Sequence, residues 1–213
     1  MADEAQLASL RSRIERYYSA KVERFGATPM GVDWSCEPTQ QLRFVQLLRL
    51  CDFSAPFALD DLGCGYGALI GFMLRRFKGA RVDYLGIDLS ASMIEHARHV
   101  WRAQRNASFC VGERSPRVAD YSVASGIFNV RIDEPLPVWE RFIEDTLAGM
   151  AAGSRTGFAV NFLARLAPGV HGKAELYRCE PQRWIDFCER ELAMRVSVLD
   201  AYGMREFTLL ARH

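Results

Sequence analysis

The sequence predicts an α/β fold: a doubly wound sheet of seven strands, mostly parallel, finished by a C-terminal antiparallel hairpin and preceded by a helical N-terminal lid. Three observations point there. From residue 57 onward short apolar runs alternate with amphipathic helices, the pattern of a parallel sheet covered on both faces. The last two strand-like runs, 195–199 and 206–211, are separated only by Asp200-Ala201-Tyr202-Gly203-Met204. That is too short for a crossover helix, so the two must pair antiparallel. The first 50 or so residues contain nothing strand-like.

In order along the chain, Leu7, Leu10, Ile14, Tyr17, Tyr18 and Val22 recur at three- and four-residue steps, which makes 3–25 a helix. Gly26 and Pro29 end it, and Gly31-Val32-Asp33-Trp34-Ser35 is a turn-rich connector. Glu37 to Leu50 is a second amphipathic helix with Leu42, Val45, Leu47, Leu48 and Leu50 inward. Strands follow at 57–62, 81–88, 108–111, 121–125 and 157–162, then the hairpin. Between them lie helices from Ala68 to about Arg76, Ala91 to Gln104 with Ser90 as N-cap, Leu136 to Met150, and Pro181 to Arg190 with proline at its start. This divides the chain into a helical extension, 1–52, and a sheet domain, 53–213.

With 213 residues, 49% hydrophobic and 25% charged, the chain has material for one sizeable core, which excludes long disorder and fibrous folds. Lys+Arg 27 against Asp+Glu 26 gives a net charge of +1, so no global basic field holds nucleic acid and a small-molecule partner is favoured. No apolar run reaches the roughly 20 residues that span a bilayer. The N-terminus, Met1-Ala2-Asp3-Glu4-Ala5, is acidic and unlike a signal peptide, so a cytoplasmic protein is expected. The six cysteines and four histidines show no metal-ligand spacing, so neither a zinc site nor a disulfide framework is expected. Most of the cysteines read as small buried hydrophobes.

The sharpest chemical signal is Leu59-Asp60-Asp61-Leu62-Gly63-Cys64-Gly65-Tyr66-Gly67. Glycines at alternate positions after a strand let a ligand lie on bare backbone, and the following helix adds its positive N-terminal end. Asp88 ends the next strand, where a carboxylate can take both hydroxyls of a ribose. Dinucleotide sites favour G-x-G-x-x-G and put a pyrophosphate on the helix end. Asp61 would repel a pyrophosphate but suits a cationic amino-acid moiety, which points to S-adenosylmethionine.

At these residues a resemblance emerges. Asp61 to Gly67 resembles motif I of class I S-adenosylmethionine-dependent methyltransferases, with their Rossmann-like sheet, and Gly86-Ile87-Asp88-Leu89-Ser90 resembles their ribose-binding acidic position. Gly112-Glu113 is similar to the acidic pair that holds the adenine amine, Met93 to the residue that packs on adenine, and Tyr121 to Gly126 to the fourth strand. The resemblance covers residues 57–211. It implies S-adenosylmethionine as cofactor, held by Asp61, Gly63, Gly65, Gly67, Asp88, Leu89, Met93, Gly112, Glu113 and Ser125. Ser125-Gly126-Ile127-Phe128-Asn129 and the segment 200–207 resemble a stand-alone bacterial subgroup of poorly defined substrates. The segment after strand four is not the Asn/Asp-Pro-Pro-Tyr/Phe of enzymes that methylate planar nitrogens, which disfavours nucleic acid.

Acid/base candidates are few. His171, His96 and His99 read as solvated. Asn161, at the end of strand five, could orient an amine or carboxylate, or could cap; Tyr177 and Glu175 are candidates for the same pocket. Tyr17, Tyr18, Trp34 and Phe44 put rings in the segment that lids this fold's crevice, where aromatic faces stabilise a sulfonium by about 0.5–2 kcal/mol. The same rings on an amphipathic helix could equally be core. Tyr18, Trp34, Asn161 and Tyr177 are thus the candidate catalytic residues. The leading expectation is methyl transfer to a small molecule by a monomer or homodimer that meets neither nucleic acid nor membrane. The alternatives are cyclisation of the cofactor itself, in the manner of azetidine-2-carboxylate synthases, and non-catalytic binding of S-adenosylmethionine.

Overall fold

The computed structural model describes residues 2–32, Trp34 and 36–213. Met1, and Asp33 and Ser35 of the expected connector, lie outside the described residues. Two helices come first, α1 (Ala2–Phe25) and α2 (Glu37–Leu47), the latter continued by a 3-10 turn over Leu48–Leu50. Then follow β1 (Phe57–Leu62), α3 (Ala68–Arg76), β2 (Val82–Asp88), α4 (Ala91–Val100), β3 (Ala107–Val111) and β4 (Ala119–Ala124). The chain ends with α5 (Leu136–Ala152), β5 (Ser154–Ala164), β6 (Arg178–Cys179), α6 (Pro181–Arg190), β7 (Arg195–Leu199) and β8 (Glu206–Arg212).

The strands lie in the order β3-β2-β1-β4-β5-β8-β7. All pair parallel except β8, which runs antiparallel to both β5 and β7. The seven expected strands are therefore joined by one more: the two-residue β6 pairs parallel with Leu163 and Ala164 at the end of β5. Two residues carry no periodicity, so no local pattern marks this strand. The helix starts follow their local chemistry. The Ser90 hydroxyl accepts the Met93 N–H at 3.2 Å, and α6 opens on Pro181, whose missing N–H costs nothing there.

Each sheet face has its own core. Leu7, Leu10 and Ile14 of α1 join Phe142, Ile143 and Leu147 of α5 and Trp184 of α6 on one face. Phe44 and Leu47 of α2 join Leu69, Ile70 and Phe72 of α3 on the other. The two N-terminal helices are thus packed into opposite faces of the sheet, and between them Val32 and Trp34 lie over the turns that follow β1 and β4. Of the cysteines, Cys64, Cys179 and Cys188 are buried, Cys51 and Cys110 are half-buried and Cys36 is exposed, so only half are the buried hydrophobes expected. Among the described residues no helix is long and apolar enough to cross a membrane.

Candidate functional site

The strand order reverses between β1 and β4, and ligands of open α/β sheets bind outside the carboxyl ends at such a point. A crevice of about 1010 Å³, counted out to its mouth, opens there. Its floor is the turn after β1. The Gly63 and Cys64 N–H groups both donate to the Ile87 carbonyl, at 2.7 and 3.1 Å, which folds the turn back against β2. The Gly65 N–H donates to Asp88 Oδ2 at 2.9 Å and the Ser90 N–H to Oδ1 at 2.9 Å. A carboxylate offers about four lone-pair sites, so both oxygens retain capacity for a ligand. Burial raises the Asp88 pKa, opposed by the N–H groups of Ser90 and Gly65.

Gly65 has φ +53°, and a Cβ on it would lie 2.9 Å from Val32 Cγ1, so here the turn needs glycine both for its backbone angle and for the close approach of the segment above it. Asp61 is buried beneath the turn and accepts the Tyr84 hydroxyl at 2.6 Å. Burial pushes its carboxyl from 3.8 up to about 7, with the Tyr84 hydrogen bond opposing and Asp88 and Asp60 adding to the rise.

The walls come from the N-terminal region. Arg11, Ile14, Glu15 and Tyr18 of α1 line one side, Gln40 and Phe44 of α2 the other, and Val32 and Trp34 the top. Arg11 Nε meets Glu113 Oε2 at 3.1 Å, and its other end reaches Asp145 on α5. The Ser19 and Ser90 hydroxyls bond at 2.7 Å, tying α1 to the start of α4. The Trp34 indole lies against Gly126, where a Cβ would fall 2.4 Å from its Cζ2 and φ is +74°.

The structure brings Tyr18, Trp34, Asp61, Gly63, Gly65, Asp88, Leu89, Met93, Gly112, Glu113 and Ser125 to this crevice. Three other candidates are elsewhere. Gly67 is the N-cap of α3 and does not line the crevice; a Cβ built on it would lie 2.6 Å from the Trp101 indole. Asn161 is fully buried and does not line the crevice; its Oδ1 accepts the Gly126 N–H at 2.8 Å, so it braces the floor. Tyr177 lies in the core on the α5–α6 face, its hydroxyl donating to Glu140 Oε1 at 3.1 Å, and burial pushes that hydroxyl up. Its neighbour Glu175 is exposed, paired with Lys173. His96, His99 and His171 are exposed. Of the N-terminal rings, Tyr18, Trp34 and Phe44 line the crevice, while Tyr17 carries the Lys21 ammonium at 5.2 Å.

Sequence reasoning missed Arg11, Glu15, Val32, Gln40, Tyr66 and Ile127, all of which line the site. One signal existed: Arg11, Ile14, Glu15 and Tyr18 share a helical face at three- and four-residue spacing. A face that mixes charge with apolar groups is poor core and reasonable cleft wall.

A family model described as a methyltransferase domain matches residues 60–132. Rv1506c of Mycobacterium tuberculosis (strain ATCC 25618 / H37Rv), named as a candidate methyltransferase, is 41% identical over 165 residues, which is 78% of this chain and 98% of that protein. Magnesium protoporphyrin IX methyltransferase from Synechocystis PCC 6803, solved with bound SAH, superposes with a TM-score of 0.61 at 13% identity, covering 83% of this chain and 82% of that one. The CurJ carbon methyltransferase superposes with a TM-score of 0.62 at 13% identity, covering 99% of this chain and 67% of that one, so the likeness of fold extends over the N-terminal helices. The chain belongs to the class I S-adenosylmethionine-dependent methyltransferases.

S-adenosylmethionine is the cofactor of that family, and the crevice fits it on its own terms. Glu15, Asp61, Asp88 and Glu113 line it against the single guanidinium of Arg11, itself already paired. Such a lining suits a cation and would oppose a pyrophosphate. Ile127 and Val32 pack where side chains on Gly63 and Gly65 would stand, so the turn meets the crevice as bare backbone.

Proposed function

We propose that this chain transfers the methyl group of S-adenosylmethionine to a small-molecule acceptor. The observation that carries the reading is the roof. Val32 closes on Gly65 and Trp34 on Gly126, between helices anchored on opposite faces of the sheet. A crevice so covered admits a small acceptor more readily than a polymer. In this reading Asp88 takes the ribose hydroxyls, Gly112 and Glu113 face the adenine amine, Leu89 and Met93 flank the base, and Asp61 with Gly63 and Gly65 receives the methionine end. Tyr18 and Trp34 wall the sulfonium and exclude water. When bound, the cofactor supplies an electrophilic methyl carbon and a good leaving group, so the protein's part is alignment, and no strong base is required.

One observation favours a second reading, cyclisation of the cofactor. Asp61 is a buried carboxyl raised to about 7 at the methionine end. A base of that strength could accept a proton from the methionine amine, whose nitrogen then bonds to the side-chain carbon next to sulfur as the carbon–sulfur bond breaks and methylthioadenosine leaves. Incubation with S-adenosylmethionine alone, then with added low-mass metabolites, followed by mass spectrometry, decides. Methyl transfer gives S-adenosylhomocysteine only when an acceptor is added. Methylthioadenosine together with a new cyclic amino acid, from the cofactor alone, means cyclisation, and no turnover in either case leaves a binding protein.

A further inference from the structure

Five residues close a ring around the end of the crevice that the methyl-transfer reading assigns to the sulfonium. The Gly126 N–H donates to Asn161 Oδ1 at 2.8 Å. Asn161 Nδ2 reaches Glu206 Oε2 at 3.4 Å. The Arg43 guanidinium grips Glu206 with Nε at 2.6 Å from Oε2 and a second nitrogen on Oε1. The same guanidinium stacks on the Trp34 ring, 3.7 Å from its centroid, and Trp34 lies back against Gly126.

Arg43 and Glu206 are 5% and 4% exposed, and Asn161 is fully buried. An ion pair taken out of water to this degree is a poor device for stability, because well-packed apolar groups serve as well. Its geometry serves something else. The forked guanidinium is planar, so binding Glu206 in the bidentate manner fixes the plane that Trp34 rests on. Gly126 fixes the indole's other contact, since a side chain there would overlap it. Neither Arg43 nor Glu206 lines the crevice. Arg43 touches its wall at Trp34, and Glu206 reaches it through Arg43 and through Asn161 and Gly126.

We propose that Arg43 and Glu206 are positioning residues, which hold the Trp34 indole in the orientation in which it walls the sulfonium end of the crevice. The proposal rests on the methyl-transfer reading for what Trp34 faces, but not for how Trp34 is held.

The test separates the two. Indole N–H resonances of ¹⁵N-tryptophan-labelled protein report on the four tryptophans, and Trp34→Phe identifies the one from Trp34. The double variant Arg43→Met/Glu206→Leu removes both charges at once and strands neither. Arg43→Lys keeps the charge but loses the fork and the flat stack. In both, the Trp34 resonance is expected to move and broaden, while those of Trp101, Trp139 and Trp184 stay in place. Affinity for S-adenosylmethionine is expected to fall about tenfold, and that for uncharged S-adenosylhomocysteine by less than about twofold, because only the former presents a cation to the ring. A Trp34 resonance unmoved in a folded variant overturns the proposal, as does an equal loss for both ligands. Arg43→Lys decides if the double variant does not fold. If the wild type binds neither ligand, the functional reading fails, and the resonance alone still decides how Trp34 is held.

Discussion

The middle glycine of the turn after β1 and the acid that ends β2 are bonded to each other: Gly65 N–H donates to Asp88 Oδ2 at 2.9 Å. The carboxylate thus fixes the floor of the crevice while keeping lone pairs free to bind. Asp88→Ala removes both functions. It is expected to weaken S-adenosylmethionine binding by about 1.5–3 kcal/mol, the net worth of hydrogen bonds to a charged group. Equilibrium dialysis checks this, and unchanged affinity in a folded variant takes Asp88 out of the site.

Gly65→Ala places a methyl group 2.9 Å from Val32 Cγ1 on a backbone with φ +53°. The left-handed angle costs about 1–2 kcal/mol for any L-residue, and the methyl group intrudes between turn and roof. Loss of cofactor binding with retained circular dichroism is the expected outcome. Normal binding would make the turn a packing element only.

Gly67 is expected to behave differently. An added methyl group meets the Trp101 indole, whose Nε1 donates to the Tyr66 carbonyl at 3.0 Å. Gly67→Ala should therefore appear first as a lowered thermal midpoint, by several degrees for a loss of about 1–2 kcal/mol. A variant that melts like the wild type but fails to bind would return Gly67 to the cofactor set.

Asp61 sets a pH dependence. Its folded pKa of about 7 lies above its ordinary 3.8, so across that window the folded state holds the extra proton. The contribution of Asp61 to stability is therefore fully present below 3.8 and is lost as pH rises through about 7. Denaturant midpoints should fall with pH over this range less steeply in Asp61→Asn than in the wild type. Binding runs the other way, because the methionine amine stays protonated there and prefers the ionised carboxylate. Affinity should weaken as pH falls from about 7 toward 5.5 in the wild type, and stay flat in Asp61→Asn. Equal slopes in the two proteins would show that Asp61 does not meet the amine.

Most of the fold was legible because strand length, the glycine turn and the terminal hairpin each leave a local pattern. The crevice-lining candidates from Asp61 to Glu113 were legible for the same reason, since each sits at the end of a strand or the start of a helix. Position along the chain leaves Asn161 open between orienting a ligand and capping, and its bond to the Gly126 N–H is of the second kind, while Tyr177 is turned into the core. Gly67 shared the motif's spacing but met Trp101, a contact 34 residues away in sequence that no local pattern reveals. Gln40 and Val32 belong to the site only because α1 and α2 pack on opposite faces, which is a tertiary fact. The Arg43–Glu206 pair, 163 residues apart, was invisible for the same reason.

The most direct test of the central claim is equilibrium dialysis of the intact chain against methyl-labelled S-adenosylmethionine, with and without excess unlabelled S-adenosylhomocysteine. The account expects saturable retention at one site, with a midpoint between about 1 μM and 1 mM, displaced by S-adenosylhomocysteine and reduced in Asp88→Ala. No retention at millimolar cofactor, or retention undiminished in folded Asp88→Ala, would contradict it.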